Sequence, residues 1–140
     1  MFITEQLNVA YEHGLGPIMN LTFVPYGNAK IDLDAKTVIC QHGDAECDAN
    51  TWEQCMVYKN PSADDYVPML NCLASGADLT QESEFERCAG VANLDFAAIK
   101  SCHDDNDLAW QLQVTNSELT PIDHTFTPWA VLNGDLVSFR

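Results

Sequence analysis

The chain has 140 residues, six cysteines and a formal net charge of -15. That length suits a single domain with a real core, and 46% hydrophobic residues exclude wholesale disorder. Six Lys+Arg against 21 Asp+Glu leave no cationic surface for a phosphate backbone, and no apolar run approaches the roughly 18–20 residues of a membrane span, so neither nucleic acid nor membrane is an expected partner.

Phe2, Ile3, Leu7, Ala10 and Tyr11 fall near one face at helical spacing. The first dozen residues therefore read as a helix, stopped by Gly14-Leu15-Gly16-Pro17. Ile18 to Tyr26 is short and mostly apolar, which suits a buried strand ending at Pro25 and Gly27. Asn28 to Asp34 reads as a connection, and Thr37 to Cys40 as a second strand antiparallel to the first. Gly43 breaks the chain and Asp44 is positioned to cap a helix carrying Cys47, Thr51, Cys55 and Tyr58 on one face. Asn60-Pro61 ends it, and Ser62 with Asp65 opens a further helix with Tyr66, Met69, Leu70 and Leu73 as its stripe. Ser83 with Glu86 has the capping-box spacing, Asn93 reads as the restart of a helix bearing Phe96, Ile99 and Cys102, and Leu108 to Val114 continues the helical pattern. The tail changes character. Trp129–Leu132 and Leu136–Phe139 read as paired strands, because Asn133-Gly134 supplies the positive φ values of a type I′ turn. Strands, a helical block and a final hairpin make an α/β or α+β pattern.

Cys40, Cys47, Cys55, Cys72, Cys88 and Cys102 are even in number and widely spaced, as disulfides in an oxidising compartment would be. Six cysteines allow 15 pairings, among which sequence does not choose. Asn20-Leu21-Thr22 is a glycosylation sequon and points to a secretory route, yet the N-terminus carries no signal-peptide pattern. Cys40 near His42, and Cys102 beside His103, lack the paired close spacing of structural zinc, so no metal is expected. Cys40 with His42 has the residue types of a nucleophile and its base, but a structural disulfide accounts for Cys40 more readily given its five companions. The carboxylates show no general acid/base pairing. Thr127-Pro128 before a strand sits where thioredoxin-like folds place a cis proline beside the redox centre; on the residues alone an ordinary trans proline suffices.

Three stretches in order resemble one family, the gamma-interferon-inducible lysosomal thiol reductases. Asn20 to Ala29 is similar to its strand and Pro-Tyr-Gly-Asn-Ala turn. Cys40-Gln41-His42-Gly43, with Glu46, Cys47, Asn50 and Cys55, looks like its cysteine signature. Leu119, Pro121, His124, Pro128, Trp129, Asn133 and Gly134 follow the order of its C-terminal motif, although Thr120 lacks the usual surroundings. The resemblance implies an α/β, thioredoxin-like domain over 1–140 with a cysteine-rich helical insertion over 44–115. It implies reduction of disulfide-containing protein substrates in lysosomal or secretory compartments, with no cofactor. In the family a C-x-x-C at the start of the first helix supplies the attacking thiolate, its pKa lowered by the helix N-terminus, and the resolving thiol.

No two cysteines of this sequence are two residues apart. By resemblance the chain starts just past the resolving cysteine, so the domain is expected to be truncated at both ends, without its first strand and last helix, and less stable for it. The expectation is a chain inactive in dithiol reduction. Its six cysteines are structural, and Thr127 and Pro128 are what remains of the substrate groove. One rival is a noncatalytic, disulfide-stabilised secreted binding module; another is a residual redox protein using Cys40 or Cys47.

Overall fold

A computed structural model describes residues 2–137. The chain opens on a π-helical stretch, Phe2–Leu7, that continues into α1, Asn8–Glu12, as the apolar spacing predicts. Leu7 is buried, with Phe2, Ile3 and Tyr11 packed on the same core. A 3-10 turn at Gly16–Ile18 follows.

The strand expected over Ile18–Tyr26 does not form. The segment contains that 3-10 turn's last residue and then runs on with Met19, Leu21 and Phe23 against the core and Ile18, Asn20 and Thr22 exposed. The alternation is that of a strand, but among the described residues no strand pairs with it. Alternation reports which side chains are buried; a ladder also needs a neighbour for the backbone N–H and C=O groups. The observed strand lies further on, in the stretch read as a connection. There β1, Lys30–Asp32, pairs antiparallel with β2, Thr37–Ile39, in the register Lys30↔Ile39, Ile31↔Val38, Asp32↔Thr37. Asp32 Oδ1 builds the turn between them, accepting from Asp34 and Ala35 N–H at 3.0 and 2.9 Å.

The helical run expected over 44–115 consists of α2 (Asp44–Lys59), α3 (Ala63–Ala74), α4 (Glu82–Val91), α5 (Phe96–Asp104) and α6 (Asn106–Leu119). Their ends correct several expected caps. Gly43 holds the N-cap of α2, and Asp44 lies inside the first turn, where its charge meets the positive end of the helix dipole. Ser62 stands at the N-cap of α3 without a side-chain bond. Because α4 already begins at Glu82, Ser83 is helical and cannot cap. Asn93 ends α4 and does not start α5: at φ 56° it closes a Schellman turn, with Leu94 N–H on Ala89 O at 2.9 Å and Asn93 N–H on Gly90 O at 3.2 Å. The side-chain caps are Asp95, accepting from Ala98 N–H, and Asp105, accepting from Asp107 and Leu108 N–H.

α2 packs on α5 and α6, and α3 on α4. Trp52 of α2 is the centre of the core, stacked on Phe85 at 5.3 Å, Phe96 at 5.5 Å and His103 at 3.8 Å. At ~25 cal/mol per Å², removing one such aromatic from water contributes at most about 4–6 kcal/mol. Two disulfides tie the same helices: Cys55–Cys102 joins α2 to α5, and Cys72–Cys88 joins α3 to α4, nested within the first.

The tail forms the expected hairpin. β3, Val131–Leu132, pairs with β4, Asp135–Leu136, through Asn133 at φ 51° and Gly134 at φ 91°. The part of the second strand expected at Ser138 and Phe139 lies outside the described residues. The Thr127-Pro128 peptide is cis, not the trans bond the residues alone point to. The described residues are thus mostly helical, with two two-stranded sheets and three disulfides. Among them no helix is long and apolar enough to cross a membrane.

Candidate functional site

The turn Pro25-Tyr26-Gly27-Asn28-Ala29 is where distant stretches of sequence meet. Gly27, at φ 63°, reverses the chain, and Tyr26, Ala29 and Cys40 are buried together in a small second core. Three consecutive carbonyls of the turn face side chains from elsewhere. Gln54 Nε2 donates to Pro25 O at 2.8 Å, Asn50 Nδ2 donates to Tyr26 O at 3.3 Å, and His124 Nε2 lies 3.1 Å from Gly27 O. Buried carbonyls left without partners would cost free energy, so these side chains hold the turn in place.

β2 delivers Cys40 to the N-terminus of α2, where it is bonded to Cys47. The loop so closed contains Gly43 at φ 90° and ψ -169°, a conformation essentially confined to glycine. His42 turns back on Glu46: its backbone N–H donates to Glu46 Oε2 at 3.2 Å, and its Nδ1 meets the same oxygen. Gln41 and Asn50 point the other way, toward the turn. Gln41 Oε1 accepts from Asn28 Nδ2 at 2.8 Å, and Asn50 Nδ2 also lies 3.9 Å from Cys40 Sγ. The Cys40, Gln41, His42, Gly43, Cys47 pattern therefore builds a stapled loop that grips the turn. Cys55, the last residue of that pattern, does not join this site; it is fully buried in the main core, bonded to Cys102.

All six cysteines are paired, as Cys40–Cys47, Cys55–Cys102 and Cys72–Cys88. No free thiol remains for a nucleophile at Cys40 or Cys47 in this state. Among the described residues no cluster of three His, Cys, Asp or Glu could hold a metal ion. Thr127 and Pro128 are both exposed, on the segment between α6 and β3. That segment reaches the turn through His124, whose Nε2 lies 3.0 Å from Asn28 Oδ1. Trp129 packs beside it, 6.5 Å from the His124 ring and 4.9 Å from Phe126. Asn20 is exposed, and so is Thr22 of its sequon.

Two titrating groups border the site. Glu53, with His42, Glu46 and Asn50, lines an open cleft of about 330 Å³, and burial pushes its carboxyl up to about 7. Burial also raises the Tyr26 phenol, with a hydrogen bond to Ser117 pulling the other way. Sequence reasoning missed the glutamines. Gln54 is 2% exposed and donates to Gln113 Oε1 at 3.0 Å; Gln113 in turn donates to Thr51 Oγ1 at 3.1 Å, tying α6 to α2. The signal was present: Gln54 lies seven residues after Cys47, on the face read as apolar, where a polar side chain must find buried partners.

The comparisons with known proteins agree with this arrangement. A family model described as gamma interferon inducible lysosomal thiol reductase matches residues 1–92. The gamma-interferon-inducible lysosomal thiol reductase of Carassius auratus is 36% identical over 129 residues, covering 86% of this chain and 49% of that protein. The gamma-interferon-responsive lysosomal thiol protein of Arabidopsis thaliana is 29% identical over 136 residues, 95% of this chain and 55% of its own length. GILT-like protein 2 of Drosophila melanogaster is 33% identical over 102 residues, 72% of this chain and 46% of its own. The chain spans about half the length of the curated relatives it matches. With the stapled cysteine loop, the turn it grips and the family match all on the same stretch, the chain belongs to the gamma interferon inducible lysosomal thiol reductase family.

Proposed function

We propose that these 140 residues form the scaffold and substrate-contact surface of a thioredoxin-like thiol-reductase domain, without themselves carrying out dithiol reduction. In this reading 1–140 is one domain and the helices over 44–115 are an insertion within it. Its substrates are disulfide-containing proteins, met in a lysosomal or secreted setting, and exposed Thr127 and Pro128 form part of the groove that receives them. Relatives named lysosomal thiol reductases support the substrate class and the compartment.

The observation that carries the inactive part of the reading is that no two cysteines of these 140 residues have the C-x-x-C spacing. Dithiol reduction needs one thiolate to attack the substrate disulfide and a second thiol to release it. Here every bridge joins cysteines at least 7 residues apart in sequence. The chemistry available to these residues is to bind an extended chain, not to exchange electrons with it. The test is insulin reduction followed by turbidity with a thiol reductant present. The 140-residue chain should add nothing to the rate of the reductant alone. Turnover that disappears on Cys47→Ser would overturn this and favour a redox role for the Cys40–Cys47 pair. If turnover is absent and no disulfide-bearing peptide binds, the inactive reading stands and the groove assignment fails.

The same paired cysteines favour a second reading, a noncatalytic secreted binding module. Binding that is equally tight for bridged peptides and their cysteine-free counterparts would select it.

A further inference from the structure

The three sequence motifs that carry the family resemblance lie up to about 100 residues apart, yet one relay of side chains connects them. Gln41 of the cysteine loop accepts from Asn28 at 2.8 Å, and Asn28 Oδ1 faces His124 Nε2 at 3.0 Å. His124 sits three residues before Thr127, so the relay ends on the segment that carries Thr127-Pro128.

The two ring nitrogens of His124 have contacts of one kind. Nδ1 lies 2.7 Å from Pro121 O, and Nε2 lies 3.1 Å from Gly27 O. Both partners are backbone carbonyls, which can only accept, so this conclusion is independent of how the Asn28 and Gln41 amides are oriented. A neutral imidazole with its N–H at Nε2 satisfies the Gly27 carbonyl, and Pro121 O also accepts from the His124 backbone N–H at 3.1 Å. Among the described residues no carboxylate forms an ion pair with His124. The groups around the ring are the Gly27 carbonyl and Asn28 amide from the turn, the Pro121 carbonyl from its own loop, and the edge of Trp129. Asp123 adjoins it in sequence and is exposed. Glu46, whose carboxylate approaches Gly27, is already engaged by His42.

We propose that His124 is a positioning residue: by donating Nε2–H to the Gly27 carbonyl it docks the Thr127-Pro128 segment on the Gly27-Asn28 turn. Nδ1 faces Pro121 O within the same loop, so the ring's bond across to the turn is the one through Nε2. Without it, the loop from Pro121 to Trp129 loses that bond to the turn. That this affects substrate rests on the reading of Thr127 and Pro128 given above; the docking itself does not.

The experiment is NMR of the whole chain at one pH, with a disulfide-bridged peptide as the binding probe. The His124 Nε2–H proton should be visible, shielded from exchange with water. The Thr127 amide and Trp129 indole signals should stay near their wild-type positions in His124→Gln, whose amide also donates. His124→Ala should shift both signals and weaken peptide binding about fivefold, the cost of one lost hydrogen bond. Unchanged Trp52 and helix signals at fixed pH would show that each variant is folded. Shifts of Thr127 and Trp129 in His124→Gln as large as in His124→Ala, or no shift of either in His124→Ala, would overturn the proposal. Pro128→Ala separates it from the wider reading: if His124→Ala shifts the signals as expected but Pro128→Ala binds the peptide like wild type, the docking stands and the groove assignment falls.

Discussion

The three disulfides should differ in what they contribute to stability, in an order set by the loops they close. Crosslinking removes closure entropy from the unfolded chain, and the effect grows with the logarithm of loop length. Cys55–Cys102, at a sequence separation of 47, is worth about 4 kcal/mol by that relation. Cys72–Cys88, at 16, is worth about 3 kcal/mol, and Cys40–Cys47, at 7, a little over ~2 kcal/mol. Nesting trims the first figure, because the Cys72–Cys88 bridge shortens the path that Cys55–Cys102 closes, bringing it to about 3.7 kcal/mol. Burial adds to it. Cys55 and Cys102 are 0% and 1% exposed, so replacing both by alanine leaves a void in the core costing roughly a further 1–2 kcal/mol. A double Cys→Ala variant of this pair should therefore lose about 5 kcal/mol and melt about 15 °C lower. The Cys40/Cys47 double variant should lose about half as much. Paired alanines leave no stray thiols, so calorimetry at one pH reads the comparison directly. If the Cys40/Cys47 variant melts as low as the Cys55/Cys102 variant, closure entropy and burial do not rank these bridges, and the reasoning is wrong.

Glu53 supplies a pH dependence. Burial raises it from 4.5 to about 7, so the folded state binds this proton more tightly than the unfolded chain does. Stability from this group is highest below pH 4.5 and falls as pH rises to about 7; solvent reaching part of the side chain trims the loss to about 1–2 kcal/mol. In urea titrations Glu53→Gln should match wild type at pH 4 and exceed it at pH 7.5; equal midpoints at both would reject the assignment. Gly43→Ala should cost about 1–3 kcal/mol in thermal unfolding, purely from its backbone angle, since no atom lies within 4 Å of the added Cβ. Passed through a secretory pathway, the chain should carry a glycosidase-sensitive mass that Asn20→Gln abolishes; identical masses would show Asn20 unmodified.

The helices were legible because burial on one face writes a 3.6-residue period into the sequence, as Tyr66, Met69, Leu70 and Leu73 do in α3. The final hairpin was legible because Asn133-Gly134 meets a demand on φ that few other pairs meet. Ile18 to Tyr26 misled for a physical reason: its alternation is real, but pairing depends on a neighbour the local sequence does not encode. Lys30–Asp32 was passed over because three residues with two charges have no strand-like composition; its pairing is imposed by the Asp32 turn. Helix starts slipped by one or two residues, with Gly43 at the N-cap where Asp44 was expected and Gln81 where Ser83 was. At the site, the motif residues were visible as a pattern, but their contacts were not. That Gln41, Asn28 and His124 touch is a property of the folded chain, as is the choice of one disulfide pairing among 15.

The nested bridges also decide what a protease can accomplish. The connection between α3 and α4, residues 75–81, is largely exposed and lies inside both the Cys72–Cys88 and the Cys55–Cys102 loops. A cut there yields two fragments still joined by two covalent links, with Trp52 and its ring partners left on the same folded body. A cut at 60–62 leaves one link, through Cys55 and Cys102. No bridge spans a cut before Cys40, between Cys47 and Cys55 or beyond Cys102; the last of these frees α6 and the segment bearing Thr127-Pro128. Scission and dissociation are therefore separate events from Cys55 to Cys102, and the tail beyond is a part that one cut can remove.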